Sequence, residues 1–472
     1  MAAPAGVHIR RDAWSLPPGD LTLVHYANAV KVMKERPATN PRSWSYQAAI
    51  HGSLVLPALE LWNQCKHGSW WFVAWHRMFV YYFEQIVRAA IEETAGPSDW
   101  ALPYWNYGRN GEYASLPLPF RNPTENGVPN PLYVAQRAPG INSGSRLPPA
   151  VTTDVFALSR PQFTGATEFG GGVAPPAPQF YSQTGRLEQT PHNDVHNAVG
   201  KGGWMANPFL AAQDPIFWLH HSNIDRIWAI WIAVGHVDPS DNGWLGQRFE
   251  FYDAEGKEVS KSCAEVRDTV VDLNYTYDPP PAPSAPAPLP AAVRPQVIVL
   301  PPTSPEPRVV GATAQAVTLV GNAADIPVEI DEQARQDVLT ASSEADPRRL
   351  FLNVEDIEGE VNPGSVYGIY VNLPDTPSPA DLSAHHIGNV SFFGIERARD
   401  PQDDEHPHNL RVSVEVGELV NALSTEGRWD LERMYVSFRP LSLIPPADSP
   451  EPAEPEGEDP PVHIGRVSLS VG

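Results

Sequence analysis

The sequence predicts an α + β multidomain chain in which a mainly α-helical domain precedes a C-terminal antiparallel β-sandwich. Three observations carry that reading. Apolar residues recur at intervals of three and four over residues 21–36, 70–94 and 215–235, the spacing of helices with a buried face. A proline-dense segment, DPPPAPSAPAPLPAAVRPQ, follows Tyr277. Beyond it, seven short β-rich runs alternate with turn residues, the pattern of a sandwich.

In chain order, LTLVHYANAVKVMKER (21–36), WWFVAWHRMFVYYFEQIVRAAIEET (70–94) and PIFWLHHSNIDRIWAIWIAVG (215–235) are the helices. Between the last two, residues 108–190 are rich in Pro, Gly, Asn and Ser and read as long irregular connection, of the kind that lines a site. The proline segment can only be extended polyproline II, so residues 279–306 are a semi-rigid spacer between a domain at 1–278 and a second at 307–472. In the second domain the runs are VTLVG (317–321), RLFLNVEDI (349–357), VYGIYVNL (366–373), NVSFFGIE (389–396), LRVSVEV (410–416), MYVSFRPL (434–441) and VHIGRVSLSV (462–471). Pro and acidic residues at 445–460 form an exposed loop ahead of the last strand, and His385, His386, His406 and His408 read as surface residues.

Composition narrows the function. A hydrophobic fraction of 42% with 14 Trp and 16 Phe supplies a packed core, so a disordered chain is excluded. The net charge of −23 leaves no basic surface to neutralise phosphates, which excludes nucleic acid and anionic membranes as partners. Cys65 and Cys263 are the only cysteines, so no disulfide framework holds the fold and a reducing compartment is compatible with it. No run reaches the roughly 18 apolar residues of a membrane span. None of signal-peptide length follows Arg10-Arg11, which makes the cytoplasm the expected location.

Six histidines of the first domain form two triplets on aromatic-rich sequence: His51, His67 and His76, then His192, His196 and His221. His192 and His196 stand four apart, so on a helix both imidazoles leave one face and can close on one metal ion. Three neutral imidazoles without thiolate or carboxylate suit copper or zinc. Two matched sets in one domain favour a coupled pair of coppers that handles dioxygen.

Around the first triplet the chain reads CKHGSWWFVAWHRMFVYYFE (65–84), and around the second PHNDVHNAVGKGGW (191–204) and DPIFWLHHSNIDRIW (214–228). A histidine, H-x8-H before an aromatic helix, H-x3-H and a DPxFxxHH helix, in that order, resemble the two copper signatures of the type-3 copper proteins. These are the tyrosinases, catechol oxidases, o-aminophenol oxidases and molluscan hemocyanins. The resemblance implies a four-helix-bundle binuclear copper site, with His51, His67 and His76 on one ion and His192, His196 and His221 on the other, His220 being a neighbour. It implies a thioether from Cys65 to His67, the alternative being a buried free thiol, with Cys263 unmodified. It places Phe217 beside the coppers and sets Arg10 or Arg11 against Tyr275 and Tyr277 to close the domain. Asp225, one turn after His221, either bonds a ligand imidazole or forms an ordinary salt bridge to an arginine such as Arg226.

The implied chemistry is oxidation of phenols by O2: o-hydroxylation of monophenols, then oxidation of o-diphenols to o-quinones. Glu188, four residues before His192, and Asn193, just after it, are expected to hold a water that accepts the phenol proton. Their alternatives are a helix N-terminal charge and a cap or loop contact. Pro208 falls where some plant enzymes place a bulky gate, so an open mouth is expected, with the substrate ring stacked on His221 and touched by Met205 and Asn207. The second domain resembles the sandwich that, in latent plant and molluscan members, sets a side chain in the copper pocket; the sequence does not name that side chain. Phenolic small molecules and O2 are the implied partners, and a homo-oligomer and a copper-loading helper protein are compatible with the chain. A catechol oxidase without monophenolase activity, an o-aminophenol oxidase and a hemocyanin-like oxygen carrier are the competing readings.

Overall fold

A computed structural model describes residues 6–165, 167–172, 184–279, 308–342, 348–396, 410–429, 433–447 and 458–472. The expected polyproline spacer, His406 and His408 lie outside the described residues.

The first domain is built on helices α1 (Thr22–Glu35), α2 (Trp44–His51), α3 (Phe72–Glu93), α4 (Asp194–Gly200) and α5 (Pro215–Ala233). Their starts follow local chemistry. The Ser43 hydroxyl accepts from the Tyr46 N–H at 3.1 Å ahead of α2. Asp214 accepts from the Ile216 N–H at 3.1 Å ahead of α5, where Pro215 takes the first helical position. Helix α3 packs against both α1 and α5, which explains why it is apolar around most of its circumference. Trp75, Phe79 and Phe83 of α3 and Trp218 of α5 are fully buried, and the Phe79 and Trp218 rings lie 4.7 Å apart. From residue 108 to Gly185 the described residues hold no helix longer than four residues, as the Pro- and Gly-rich composition predicts.

Sequence reading missed a short parallel pair. Strand β1 (His8–Arg11) runs beside β2 (Tyr275–Asp278), joining the two ends of the domain. Arg10, fully buried, donates to Glu84 at 2.7 Å, to Asp225 at 3.1 Å and to the Tyr277 hydroxyl at 3.1 Å, and it lies 3.7 Å over the Tyr275 ring. Arg10 is therefore the residue that meets the tyrosine pair, and Arg11 bonds Asp20 instead.

Of the two expectations for Asp225 the salt bridge holds and the imidazole contact does not: it bonds Arg10 and Arg77, rather than Arg226, together with Tyr275 and Tyr277. Burial alone would raise its pKa, but Arg77 and Arg10 hold it below the ordinary carboxylate value. Asp225→Ala takes from the buried Arg77 its salt-bridge carboxylate and leaves Arg10 with Glu84 alone, which costs about 3–5 kcal/mol. The expected drop in thermal midpoint of the domain is on the order of 10 °C. Unchanged melting would remove Asp225 from this structural role.

The second domain holds strands β3 (Arg308–Ala312), β4 (Val317–Leu319), β5 (Ala324–Ile330), β6 (Leu350–Gly359), β7 (Val366–Val371), β8 (His386–Ser391), β9 (Leu410–Glu415), β10 (Arg433–Pro440) and β11 (Val462–Val471). They pair antiparallel in the order β8-β7-β10-β5-β3-β11-β6-β9, with β4 also on β11. The end strands β8 and β9 come together, so the sheet nearly closes around its own apolar core. His385 is buried and not a surface residue. Its Nδ1 donates to the Val371 carbonyl at 2.6 Å and its Nε2 accepts from Arg428 at 2.5 Å.

The expected strand over 389–396 stops early. The ladder ends at Ser391, Phe392 stays in the sandwich core, and Gly394, at φ +85°, turns the chain. That turn leaves Phe393 pointing at the first domain.

Charges alternate across the seam between the domains. Arg349 of the sandwich bonds Glu168 of the first domain at 2.8 Å and its own domain's Glu415 at 2.5 Å, while Arg160 of the first domain bonds Glu415 at 2.6 Å. Burial would raise Glu415, but these two arginines hold its carboxyl at about 2. Nearer the histidines, Asn389 donates to Asp194 at 2.7 Å and to the Ala150 carbonyl at 2.7 Å. Arg146 and Ile444 exchange backbone bonds of 2.8 and 2.9 Å.

Candidate metal centre

Four histidines of the two triplets are delivered by elements that also fix their rings. His51 ends α2, and its Nδ1 donates to the Pro208 carbonyl at 2.9 Å. His76 lies in the first turns of α3, with Nδ1 on the Phe72 carbonyl at 2.8 Å. His67 sits on the loop between those helices. His196 on α4 gives its Nδ1 proton to the Met205 carbonyl at 2.7 Å, and His192, in the turn leading into α4, bonds the Asn193 side-chain oxygen at 2.8 Å. Tying down Nδ1 leaves Nε2 as the atom each ring presents.

The presented atoms converge. One nitrogen from each of His51, His67 and His76, together with the Cys65 sulfur, lie within 4.8 Å of one another, and so do nitrogens of His192, His196, His220 and His221. The Nε2 atoms of His196 and His221 approach to 3.3 Å, and the His192 Nε2 has no hydrogen-bond partner. His220 turns its Nδ1 to the Tyr107 hydroxyl at 3.1 Å. The two sets face each other: His76 stacks on His221 at 4.5 Å, and His67 and His192 lie 5.5 Å apart. Phe217 packs against both, 4.9 Å from His51 and 4.2 Å from His221.

Burial, with the neighbouring imidazoles next in weight, pushes His192 and His221 well below the ordinary histidine pKa, and burial takes His196 down to about 3. Neutral imidazoles that converge through nitrogen are what a nitrogen-loving ion requires, so the donor set fits a copper pair.

Around this core several expected contacts are replaced by others. Pro208 is buried and lends its carbonyl to His51; it does not border an open mouth. Met205 is fully buried and serves through its carbonyl, while the Asn207 side chain caps its own turn by accepting from the Phe209 N–H at 2.9 Å. His221 cannot take a stacked substrate, because His76 and Phe217 cover its ring. The ring that does carry a stacked partner is His196, with Phe393 4.3 Å away and 23° from parallel. Phe393 is also edge-on to His192 at 5.7 Å and to His67 at 5.5 Å. The sequence carried a signal for this ring in the paired phenylalanines and glycine of SFFGIE, where a strand pattern runs into a turn residue.

Residues 41–234 match the family model for the common central domain of tyrosinase, and residues 306–471 match a domain of unknown function, DUF7868. Tyrosinase HcTyr1 of Hahella sp. (strain CCB-MM4) is 32% identical over 95% of this chain and 97% of its own length. The chain belongs to the tyrosinase family. A chloroplastic polyphenol oxidase of Malus domestica is 27% identical over 88% of this chain and 72% of the relative. In fold, this tyrosinase-family chain is similar over its whole length to latent apple tyrosinase, with a TM-score of 0.62, 22% identity and 98% of that chain covered. It is a copper-dependent enzyme that oxidises phenols with O2, with a binuclear copper site as its cofactor. An oxygen carrier is thereby set aside. Among the described residues, no helix is long and apolar enough to cross a membrane.

Proposed function

We propose that this tyrosinase-family enzyme hydroxylates monophenols as well as oxidising o-diphenols, and that Phe393 holds it latent. The observation that carries the first part is Glu188. Its Oε1 accepts from the Gly68 N–H at 2.8 Å, next to His67, while its buried Oε2 has no partner. Burial pushes this carboxyl up to about 8, into the range where a carboxylate is basic enough to take a phenol proton through a water. Asn193 directly follows His192 and orients its ring through the side-chain oxygen.

His51, His67 and His76 would hold one ion and His192, His196 and His221 the other. When bound, the copper pair supplies the activation of dioxygen for attack on an aromatic ring. The protein supplies position: carbonyls of Pro208, Phe72 and Met205 fix three imidazoles, and the His196 face receives the ring. The Cys65 sulfur lies 3.4 and 3.6 Å from the two nitrogens of His67, and so faces the carbon between them, which supports a thioether at that carbon.

Glu188→Gln tests the monophenolase reading. Turnover of a monophenol should fall about 100-fold, the worth of a positioned general base, with diphenol turnover down only a few-fold. Equal losses on both substrates would refute a proton-accepting role for Glu188.

A further inference from the structure

Where the sandwich rests on the first domain, the guanidinium groups of Arg160, Arg186 and Arg349 gather around two carboxylates, Glu168 and Glu415. Arg160 and Arg349 bond both acids, and Arg186 bonds neither. Its distance is not the reason, because the Arg186 backbone N–H donates to the Glu168 carbonyl at 2.8 Å. Asp194, the other acid whose charge reaches Arg186, accepts instead from Thr190 at 2.6 Å and from Asn389 at 2.7 Å. Burial holds the neighbouring His386 below the ordinary histidine pKa, so it adds no charge of its own at neutral pH.

Arg186 is only 3% exposed. Its Nη1 donates to the Gln189 side-chain oxygen at 3.1 Å, and its Nε has no hydrogen-bond partner. The Phe156 ring, centred 5.5 Å from the guanidinium carbon, offers no acceptor. A Cβ on Gly388 would stand 3.8 Å from Nη1, so the group faces strand β8 of the sandwich across the seam. Burial first, and then the like charge of Arg160, push the Arg186 pKa down to about 9. The Arg160 Nε is likewise buried without a partner. A buried cation that no carboxylate compensates is costly, and Nε with Nη2 is the edge by which a guanidinium grips an oxyanion through two parallel N–H bonds.

We propose that this seam binds one small oxyanion of the phosphate type on the Nε edge of Arg186, with Arg160 as the second cation. The anion balances the third guanidinium and lies between the two domains. On a chain of net charge −23, only such a local surplus of buried arginine draws an anion in.

Equilibrium dialysis of the full-length, copper-loaded chain against radiolabelled inorganic phosphate, at an ionic strength held constant with potassium chloride, tests it. One saturable phosphate per chain is expected, half-saturated at about 1 mM. The thermal midpoint should climb along the same curve. Arg186→Met should bind about 100-fold more weakly and melt at a temperature that phosphate does not move. Arg186→Lys keeps the charge and loses the fork, so it should fold and bind about tenfold more weakly, which keeps the test decisive if methionine impairs folding. Arg160→Met should also weaken binding about tenfold. The proposal is overturned by no saturable binding up to about 50 mM phosphate. It is equally overturned by a phosphate held as tightly in the Arg186 variants as in the unaltered chain, since that ion would sit on the copper pair or the outer surface.

Discussion

Replacing Phe393 with alanine in the full-length, copper-loaded chain raises oxidation of an o-diphenol up to about 100-fold without proteolysis. The estimate follows from the ring itself. Burying a phenylalanine is worth up to about 3 kcal/mol, and each 1.4 kcal/mol is about a factor of ten in the fraction of molecules whose pocket is free. Phe393 stacks on His196 and touches His192 and His67, so substrate and plug compete for one surface. The same opening can be reached from the far side of the seam, because Glu415→Gln removes the carboxylate that Arg160 and Arg349 share. A Phe393→Ala enzyme no faster than the unaltered chain, at equal copper content, would show that access is controlled elsewhere.

His196→Ala abolishes oxidation altogether and lowers bound copper from two ions per chain to one. His196 supplies both a presented Nε2 and the stacking face, and alanine replaces neither. Companion variants decide which member of the His220–His221 pair matters. His221→Ala should behave like His196→Ala, since the His221 Nε2 approaches that of His196 to 3.3 Å. His220→Ala should keep both ions and lose activity only in part, because the imidazole removed is the one anchored to the Tyr107 hydroxyl. Metal analysis beside turnover checks all three, and full copper retention in His221→Ala would reverse the assignment.

What the sequence made legible was whatever is repeated locally. Helical spacing placed α3 and α5 to within a few residues of their observed ends, and the H-x8-H and H-x3-H intervals, with His51 ahead of them and the DPxFxxHH helix after them, picked out the six histidines that do converge. The parts that stayed hidden depend on residues far apart. Strand β1 is four residues of polar sequence, HIRR, and becomes a strand only because residues 275–278 lie beside it. Asp225 looked like an imidazole partner from its helical spacing, yet two arginines from other elements claim it. Pro208 and Met205 were read by their side chains, whereas their carbonyls do the work, and a carbonyl leaves no mark in a sequence. The Glu168–Arg349–Glu415–Arg160 seam joins residues more than 180 positions apart and could not be seen without the fold.

The pairing of β1 with β2 also sets an order of events during synthesis. Residues 8–11 have no strand to lie beside until residues 275–278 have emerged, so the first domain is finished only then. Phe393 still lies 115 residues downstream (393 − 278). At a ribosomal pace of about 5–20 residues per second, that is roughly 6–23 s. For those seconds the histidines stand uncovered in a completed domain, and incoming copper meets no competitor for the space above His196.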